Sequence, residues 1–343
     1  TKTGLEIWSE PRGTWAGYNW PQYSVHRGAL QMCLHDELMR RAGVDCIVTG
    51  HRTTGFEMQN GGARLFFDGP EGDGFADGSL VVAADGIHSA LRAQMYPSEG
   101  APIWGGAILW RGTTRARPFL DAGAMILAGH DRQRMVAYPI STADPNTGLA
   151  TINWIAELRV DPAQGWRKED WNRRANLDDF LPEFAGWKFD WLDVPALIKG
   201  AEAVFEYPMV DRDPLDQWSF GPVTLMGDAA HPTYPVGSNG ASQAIIDARE
   251  IGAAIRKFGC TPAALEAYEQ TVRPRTTRVG LANRGSGPDA ILQMVEDRCG
   301  GTFDAIENVV PHAELAEHSA KYKALAGFGV AELNAQSSIL GRT

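Results

Sequence analysis

The stretch TLMGDAAHPTYPVGSNGASQAIIDA, residues 224–248, combines an acidic side chain with a high density of glycine and proline. Asp228 follows a short apolar segment, and the glycines and prolines lie between that segment and an alanine-rich helical segment. A plain turn between a strand and a helix needs fewer glycines and prolines than this. Loops with so many residues of special backbone conformation usually contact a ligand. A carboxylate here can bind polyol hydroxyls, and the bare amides of residues 237–240 and the helix dipole favour negative charge. The alternative, an ordinary connection with a capping aspartate, explains neither the prolines nor the repeated glycines.

A second candidate site lies in SLVVAADGIHSALRAQ, residues 79–94. A short apolar strand ends in Asp85 and Gly86, and a helix is predicted to begin near Ser89. In an open α/β sheet, ligands bind at the carboxyl ends of the strands. Asp85 can therefore accept hydrogen bonds from ligand hydroxyls or from backbone N–H groups. An isolated motif of this kind is equally compatible with a simple helix cap.

Charge and composition exclude several classes of partner. The net charge of −10 argues against nucleic acid, because phosphate binding requires a basic surface. No apolar run approaches the roughly 18 residues that a membrane span requires. The four cysteines show no CxxC pairing, which favours reduced thiols in a cytoplasmic protein. A length of 343 residues predicts two domains or one large composite fold.

The elements that must position these sites alternate along the chain without internal repeats. A helix is predicted from residue 24 until Gly43 stops it, and a hairpin turn is predicted at Asn60-Gly61. Strands are predicted at DCIVTG, GSLVVAADG and PVTLMGDAA, and a strand-rich block is predicted at 101–160. A Trp-rich helical stretch is predicted at 161–200, and a weakly helical tail from 285. A further helix is predicted at 240–258, and one of its faces carries Ala241, Ala244, Ile245, Ala248, Ile251 and Ile255. The mixture predicts an α/β nucleotide-binding part interrupted by a β-rich substrate part.

These motifs resemble those of a known family. ADGIHSALR is similar to the DG motif, and GDAAHPTYPVGSNGASQAIIDA to the GD motif, of the single-component FAD-dependent aromatic hydroxylases with the para-hydroxybenzoate hydroxylase fold. HRGAL resembles the helix start whose arginine reaches the flavin. The phenazine-biosynthesis branch, that of the 5-methylphenazine-1-carboxylate 1-monooxygenases, has segments similar to WSEPRG, PQYSVHRG, WRGTT, AYPIS, YPMVDRDPL and GASQAI. The resemblance extends to about residue 284.

The resemblance implies a fold and a set of boundaries. It implies an α/β FAD-binding domain that lacks its N-terminal βαβ unit, an interleaved β-sheet substrate domain and C-terminal helices. The expected division is a substrate-domain strand at 1–18, part of the FAD-binding domain at 19–97, the substrate domain at 98–209, the FAD-binding domain with the GD motif and its helix at 210–284, and a C-terminal helical segment at 285–343.

One departure from the family is large. Members begin with a strand, a G-x-G-x-x-G loop and a helix, and no such loop followed by a helix occurs in this sequence. We therefore expect the sequence to be a fragment, or to be numbered from where order begins. If nothing precedes Thr1, FAD binding and catalysis are both in doubt, and residues 1–343 alone are expected to purify without flavin.

The resemblance assigns roles to individual residues. Arg27 reaches the FAD phosphates or ribitol with help from Gln31, Asp85 lies near the pyrophosphate, and Asp228 binds the ribitol hydroxyls. The pyrimidine edge of the flavin faces the glycine-rich loop, and Thr53, after the predicted strand DCIVTG, reads the adenine through its backbone. The implied cofactor-binding residues are Arg27, Gln31, Thr53, Asp85, Asp228, Gly237, Ser238, Asn239 and Gly240.

A pocket for a small aromatic substrate is also implied. Its candidate residues are Tyr138, Tyr207, Met209, Tyr234 and Pro235, with Trp110 and Arg111 nearby in the predicted sheet, and an arginine could pair with a substrate carboxylate. The eleven tryptophans suit such a pocket. Each aromatic residue is equally compatible with ordinary sheet packing.

The chemistry that the resemblance implies belongs to the cofactor. No Ser–His–Asp set or metal cluster stands out, and His130 and His231 are isolated and interpreted as structural or pocket-lining. FAD, with NAD(P)H as a transient cosubstrate, forms a C4a-hydroperoxide with O₂ that hydroxylates a phenazine- or salicylate-like carboxylate. The alternatives are a flavin-dependent reductase or halogenase-type oxidoreductase and a non-catalytic ligand-binding remnant. The GWxWxIP-like stretch expected of a halogenase does not occur.

Overall fold

A computed structural model describes residues 1–161, 172–238, 240–285 and 287–337. The chain forms two compact units, each built from three segments. Unit one consists of Thr1–Glu37, Trp104–Met209 and Pro288–Tyr322, and unit two of Leu38–Ile103, Val210–Gly287 and Lys323–Thr343. The identification of these units as substrate and FAD-binding domains stays a prediction.

The regular elements are numbered in chain order. The helices are α1 (Arg27–Ala42), α2 (Ala90–Met95), α3 (Val194–Lys199), α4 (Gly240–Phe258), α5 (Pro262–Ala282), α6 (Ala290–Cys299), α7 (His312–Leu325) and α8 (Val330–Ala335). The strands are β1 (Arg52–Gln59), β2 (Gly62–Gly69), β3 (Gly72–Gly78), β4 (Val81–Ala83), β5 (Ile103–Ala116), β6 (Ile126–His130), β7 (Gln133–Pro139), β8 (Ala150–Arg159), β9 (Lys188–Phe189), β10 (Leu192–Asp193), β11 (Ala201–Asp211), β12 (Ser219–Phe220) and β13 (Val223–Leu225).

Unit two contains a three-stranded antiparallel sheet in the order β1-β2-β3. Gln59 pairs with Gly62, so the predicted hairpin turn at Asn60-Gly61 is confirmed. Gly61 adopts a φ of 92°, a left-handed conformation that glycine reaches without steric cost. The third strand, β3, was not predicted, because its glycines and aspartates do not show the usual strand composition.

A second small sheet of unit two, in the order β12-β13-β4, carries the two candidate motifs. Strand β13 runs parallel to β4, with Leu225 opposite Ala83. All three residues of β13 are buried, and the hydroxyl of its one polar residue, Thr224, lies 2.8 Å from the Ser219 hydroxyl. Its core includes Trp218, Leu225, Leu265 and Tyr268, so α5 helps to cover the sheet.

Unit one is built on a five-stranded sheet in the order β11-β5-β8-β7-β6. Strand alternation gives this sheet two different faces. One face packs Trp110, Met135 and Trp154 into an apolar core with Phe180 and Phe184. The rings of Trp110 and Phe180 stack with centroids 4.7 Å apart. These contacts confirm the predicted strand-rich block at 101–160.

Several predicted elements are not formed as expected. Residues 47–50 of DCIVTG form no strand, and Val44–Cys46 is a short 3-10 helix. An extended segment becomes a strand only when a neighbour pairs with its backbone, and no described residue pairs with this one. The predicted strand within 1–18 is also wrong, because no strand of the described residues pairs with this segment.

The Trp-rich stretch at 161–200 is less helical than predicted. Residues 162–171 lie outside the described residues, and the rest contains two short 3-10 helices, the β9–β10 hairpin and α3. Its aromatic rings fill the core of unit one: Phe184 and Trp187 meet edge to face with centroids 5.1 Å apart. The tryptophans here pack in the core, which is the ordinary use of such residues.

Helix α4 has the predicted bounds, but only part of the predicted face is buried: Ile251 is buried, and Ala244 and Ile255 are half-buried. Its buried residues are Gln243, Asp247, Ile251 and Ala254, whereas Ala241, Ile245 and Ala248 are exposed. Apolar spacing could not show this, because two of the four buried side chains are polar. Helix α4 contacts the Gly227–Ala229 segment, and that loop provides partners for a buried carboxylate.

None of the helices in the described ranges combines the length and apolar character needed to cross a membrane. All four cysteines are free thiols.

Gly112 in β5 tests the packing of the unit-one core. A Cβ atom at this position would lie 2.5 Å from Cζ2 of Trp154, a fully buried side chain. We expect Gly112→Ala to lower the free energy of unfolding by about 1–3 kcal/mol, because the ring must shift within a close-packed core. Urea unfolding measures this loss. The matched control is Thr113→Ala at the next, exposed position, and equal effects of the two substitutions would contradict the packing account.

Candidate functional site

Two acidic residues lie at the same edge of a parallel pair of strands in unit two. Asp85 follows β4, Asp228 follows β13, and both side chains are exposed. The Met226 N–H donates to the Ala83 carbonyl at 2.9 Å, which continues the pairing to the ends of both strands. The carboxyl ends of parallel strands are where open α/β sheets bind ligands.

Asp85 also organises the helix that follows it. Its Oδ2 accepts a hydrogen bond from the Ala90 N–H at 2.8 Å. Ser89 caps α2, and its Oγ accepts from the Arg92 N–H at 2.9 Å. Asp85 therefore binds a backbone N–H group at the start of α2, which is one of the two roles that the sequence left open for it. The exposure of the carboxylate leaves it accessible from solvent.

The loop between Asp228 and α4 has an unusual backbone. Gly237 and Ser238 are both left-handed, with φ of 72° and 52°. A non-glycine residue in this region costs about 1–3 kcal/mol and such strain clusters at functional sites. The Ser238 N–H donates to the Pro235 carbonyl at 3.1 Å, which closes the turn. The predicted site residue Asn239 lies outside the described residues.

Helix α4 begins at Gly240 and runs for 19 residues. A Cβ atom at Gly240 would meet no atom of the described residues within 4 Å, so a ligand can approach this residue closely. The unpaired N–H groups and the dipole of a helix N-terminus favour a negatively charged ligand. Unit two thus brings together two exposed carboxylates on adjacent strand ends, and its following loop leads into an open helix N-terminus.

A buried arginine connects the two strand-end loops. Arg92 is 1% exposed, and its Nη1 donates to the carbonyls of Ala229 and Ala230 at 2.9 and 3.0 Å. Its Nε donates to Glu99 Oε2 at 2.8 Å, and Nη2 also contacts this carboxylate. A second arginine, Arg212, reaches Glu99 at 3.1 Å. Arg92 stands in the ADGIHSALR motif, but the sequence alone did not show what it contacts.

A second buried pair supports the loop from the side of α4. Asp247 is fully buried, and its Oδ2 accepts from the Gly227 N–H at 3.0 Å and lies 2.6 Å from His231 Nε2. The His231 ring lies against Trp218 with centroids 5.2 Å apart. His231 is therefore structural, as predicted, but it is not isolated. Gln243, one turn before Asp247, is also buried, and its amide atoms have no hydrogen-bond partner among the described residues.

The remaining predicted cofactor residues lie elsewhere. Arg27 is the first residue of α1, with Gln31 one turn later, and both are exposed in unit one. Thr53 is half-buried in β1, opposite Phe67 in an antiparallel sheet. It does not follow a strand, because DCIVTG forms none, and so the stated basis for an adenine contact at Thr53 is wrong.

The predicted substrate residues are divided between the units. Tyr138, Tyr207 and Met209 belong to unit one, where both tyrosines are half-buried and the methionine is buried. Tyr234 and Pro235 belong to unit two. The Tyr234 hydroxyl donates to Asp211, whose carboxylate also receives Arg284 Nε at 2.7 Å. Burial raises the pKa of Asp211, and the hydrogen bonds from these groups act against that rise. Tyr234 thus has a structural partner that the sequence did not reveal.

Comparison with known proteins shows to which class of protein the segment from β11 to α5 belongs. Residues 202–280, which include β13, the loop and α4, match the model of a family described as an FAD binding domain. Together with the strand-end carboxylates, this match defines a flavoprotein.

Similarity to individual proteins extends over most of the chain. A phenazine 1,6-dicarboxylic acid hydroxylase of Lysobacter antibioticus is 44% identical over 287 residues, which cover 82% of this chain and 70% of the relative. A salicylate hydroxylase of Pseudomonas putida is 27% identical, with coverage of 92% and 78%. The structure of a salicylate hydroxylase substrate complex matches with a TM-score of 0.64 at 20% identity, covering 88% of this chain and 73% of that chain. The chain belongs to the FAD-dependent aromatic hydroxylases, and its cofactor is FAD.

Asp247 provides a test of how the loop is held. We expect Asp247→Ala to lower the free energy of unfolding by about 3 kcal/mol, because it removes a buried acceptor from Gly227 and a charge partner from His231. Asp247→Asn retains an acceptor and should lose less. The measurement is urea unfolding, with Glu266→Ala on an exposed position of α5 as the control. A midpoint unchanged by Asp247→Ala would show that this pair does not hold the loop.

Proposed function

We propose that this flavin-dependent monooxygenase hydroxylates an aromatic carboxylic acid of the phenazine or salicylate type. The reaction is ArH + O₂ + NAD(P)H + H⁺ → ArOH + H₂O + NAD(P)⁺, in which one oxygen atom enters the ring and the other becomes water. The observation that carries the proposal is the pair of exposed carboxylates, Asp85 and Asp228, on adjacent parallel strand ends, with a left-handed loop and an open helix N-terminus following β13.

These residues fit FAD by chemistry. Asp228 is suited to accept hydrogen bonds from the ribitol hydroxyls, and Asp85, at the neighbouring strand end, would lie near the pyrophosphate. The amides of the 237–240 segment and the α4 dipole favour negative charge on the pyrimidine edge. Bound FAD supplies hydride acceptance from NAD(P)H and oxygen activation. Arg27 and Gln31 stay proposed contacts for the phosphates or the ribitol. A contact between the Thr53 backbone and the adenine stays a hypothesis.

The substrate proposal rests on the second face of the unit-one sheet. Tyr138 and Tyr207 are half-buried there, and Val136 and Ile155 contribute apolar area between them. A flat apolar surface with aromatic rings suits a planar ligand. The names of the two hydroxylases above refer to phenazine 1,6-dicarboxylic acid and salicylate, which are both aromatic acids. The protein is proposed to exclude water and orient the ring, with Met209, Tyr234 and Pro235 as further candidate contacts.

Reduced thiols and the absence of spanning helices among the described residues support a further proposal, that the enzyme acts in the cytoplasm. Its partners are then small molecules: the aromatic acid, O₂ and a transiently bound NAD(P)H.

Asp228 tests the cofactor assignment. In the FAD-loaded protein, Asp228→Ala should weaken FAD binding about ten- to a hundredfold, because a hydrogen bond to a charged group is worth about 1.5–3 kcal/mol. Asp228→Asn should be milder, since it keeps an acceptor. The dissociation constant follows from flavin fluorescence during titration of the apoprotein. Asp216→Ala, another exposed carboxylate of unit two, is the control. An unchanged affinity in Asp228→Ala would favour a purely capping role.

Turnover tests the reaction itself. We expect NAD(P)H oxidation by the FAD-loaded enzyme to rise with phenazine- or salicylate-like carboxylates and to stay low with aliphatic acids of the same charge. The physical reason is that a hydroxylase avoids wasting reduced flavin on O₂ when the pocket is empty. With ¹⁸O₂, the hydroxylated product should carry one labelled oxygen.

A fast oxidation of NAD(P)H that yields only peroxide and responds to no aromatic acid would contradict this proposal. That result would favour a reductase-type oxidoreductase. Absence of both NAD(P)H oxidation and labelled product in the flavin-loaded protein would favour a ligand-binding remnant.

A further inference from the structure

A small cavity lies inside unit two, where the chain before β12, the loop after β13 and helix α5 meet. Its volume is about 20 Å³. A buried water molecule needs about 10–15 Å³, so the cavity has room for one ligand of roughly that size. All of its lining residues belong to the 210–287 segment of unit two, and the polar ones are Arg212, Trp218, His231, Thr276, Thr277 and Arg284.

The indole N–H of Trp218 has no acceptor among the described residues. The side chain is 1% exposed, and its Nε1 atom is buried. The ring packs against His231 and Tyr268, with centroids 5.2 and 5.9 Å apart. A buried donor without an acceptor destabilises a protein, and most such donors find a partner in the protein or in a bound ligand. The cavity beside Trp218 is the space in which an acceptor can lie.

The cavity is lined by donors and by positive charge. Arg284 donates to Asp211 and to Asp213, each at 2.7 Å, and Arg212 donates to Glu99 at 3.1 Å. These ion pairs fix both guanidinium groups. The three carboxylates are not part of the lining, and none of the lining residues within the described ranges is acidic.

The cavity adjoins the group that holds the loop after β13. His231 lines the cavity, and its Nε2 lies 2.6 Å from the buried Asp247 Oδ2, which also accepts from the Gly227 N–H. On the other side of the cavity, Thr276 belongs to α5. A ligand in this space therefore contacts both the loop that carries Asp228 and the helix that covers the small sheet.

We propose that this cavity binds a small monovalent anion of the halide class, such as chloride, with the Trp218 N–H as its buried donor. An anion accepts hydrogen bonds and donates none, which matches a lining of N–H, O–H and guanidinium groups. A water molecule would also accept from Trp218, but its own O–H groups would need acceptors, and this lining offers no carboxylate. The bound anion connects the loop after β13 to α5 and stabilises the folded protein. The proposal goes beyond the proposed function and does not depend on it.

Thermal unfolding in matched salts tests the proposal in solution. The FAD-loaded protein is heated at constant ionic strength while sodium chloride replaces sodium gluconate, whose anion is too large for the cavity. We expect a saturable rise of the unfolding midpoint, of about 2–4 °C at a tenfold excess over the dissociation constant, because the anion binds only the folded state. Trp218→Phe keeps an aromatic ring but removes the N–H, and it should lose most of this rise.

The control variant is Trp110→Phe. The Nε1 of Trp110 is also buried without a partner, but this residue lies in the core of unit one. Trp110→Phe should therefore keep the full chloride response, whatever its effect on the midpoint in gluconate. Any general difference between the two salts acts equally on both variants, so the comparison isolates the contribution of the Trp218 N–H.

Bromide locates the site directly. In crystals of the unmodified, FAD-loaded protein soaked in bromide, anomalous scattering should place an ion in this cavity, within hydrogen-bond distance of Trp218 Nε1. This measurement decides the question by itself if Trp218→Phe does not fold. A cavity that is empty or holds only water would overturn the proposal. An equal chloride response in the two variants, or bromide in the cavity without any chloride response in solution, would overturn it as well.

Discussion

The buried guanidinium of Arg92, in α2, binds the loop after β13, where its partner Ala229 lies 137 residues away in the sequence. A fully desolvated arginine is tolerated only when its donors are satisfied, and Arg92 finds the carboxylate of Glu99 and the carbonyls of Ala229 and Ala230. Removing the carbonyl contacts would leave donors buried without acceptors. This requirement fixes the loop after β13 relative to the helix after β4, and hence the carboxylates of Asp85 and Asp228 at one sheet edge.

Other buried polar groups of the described residues also have hydrogen-bond partners inside the protein. Asp247 is buried and holds Gly227 and His231, so its charge stabilises the loop before α4. Asp211 and Tyr234 form a comparable pair in unit two. Arg111 in unit one and Arg275 in unit two depart from this pattern, because burial lowers the pKa of each and the Nε of each has no hydrogen-bond partner among the described residues.

The sequence predicted much of the fold because its local signals were strong. The bounds of α4, the Asn60-Gly61 turn and the strands of residues 101–160 follow from periodicity and turn chemistry. The DG and GD motifs also identified the family. Prediction failed where distant partners decide the outcome: DCIVTG lacks a pairing neighbour, and Gln243 and Asp247 are buried because a loop packs on α4. The partner of His231 could not be read from spacing, since the contact depends on how the loop after β13 folds back against α4.

The adjacent ends of β4 and β13 are the proposed FAD site. The most direct measurement is a crystal structure of the FAD-loaded protein. The account predicts ribitol hydroxyls within hydrogen-bond distance of the Asp228 carboxylate, and the pyrimidine edge of the flavin against the amides of residues 237–240. A flavin bound elsewhere, with Asp228 contacting only solvent or its own backbone, would contradict the account.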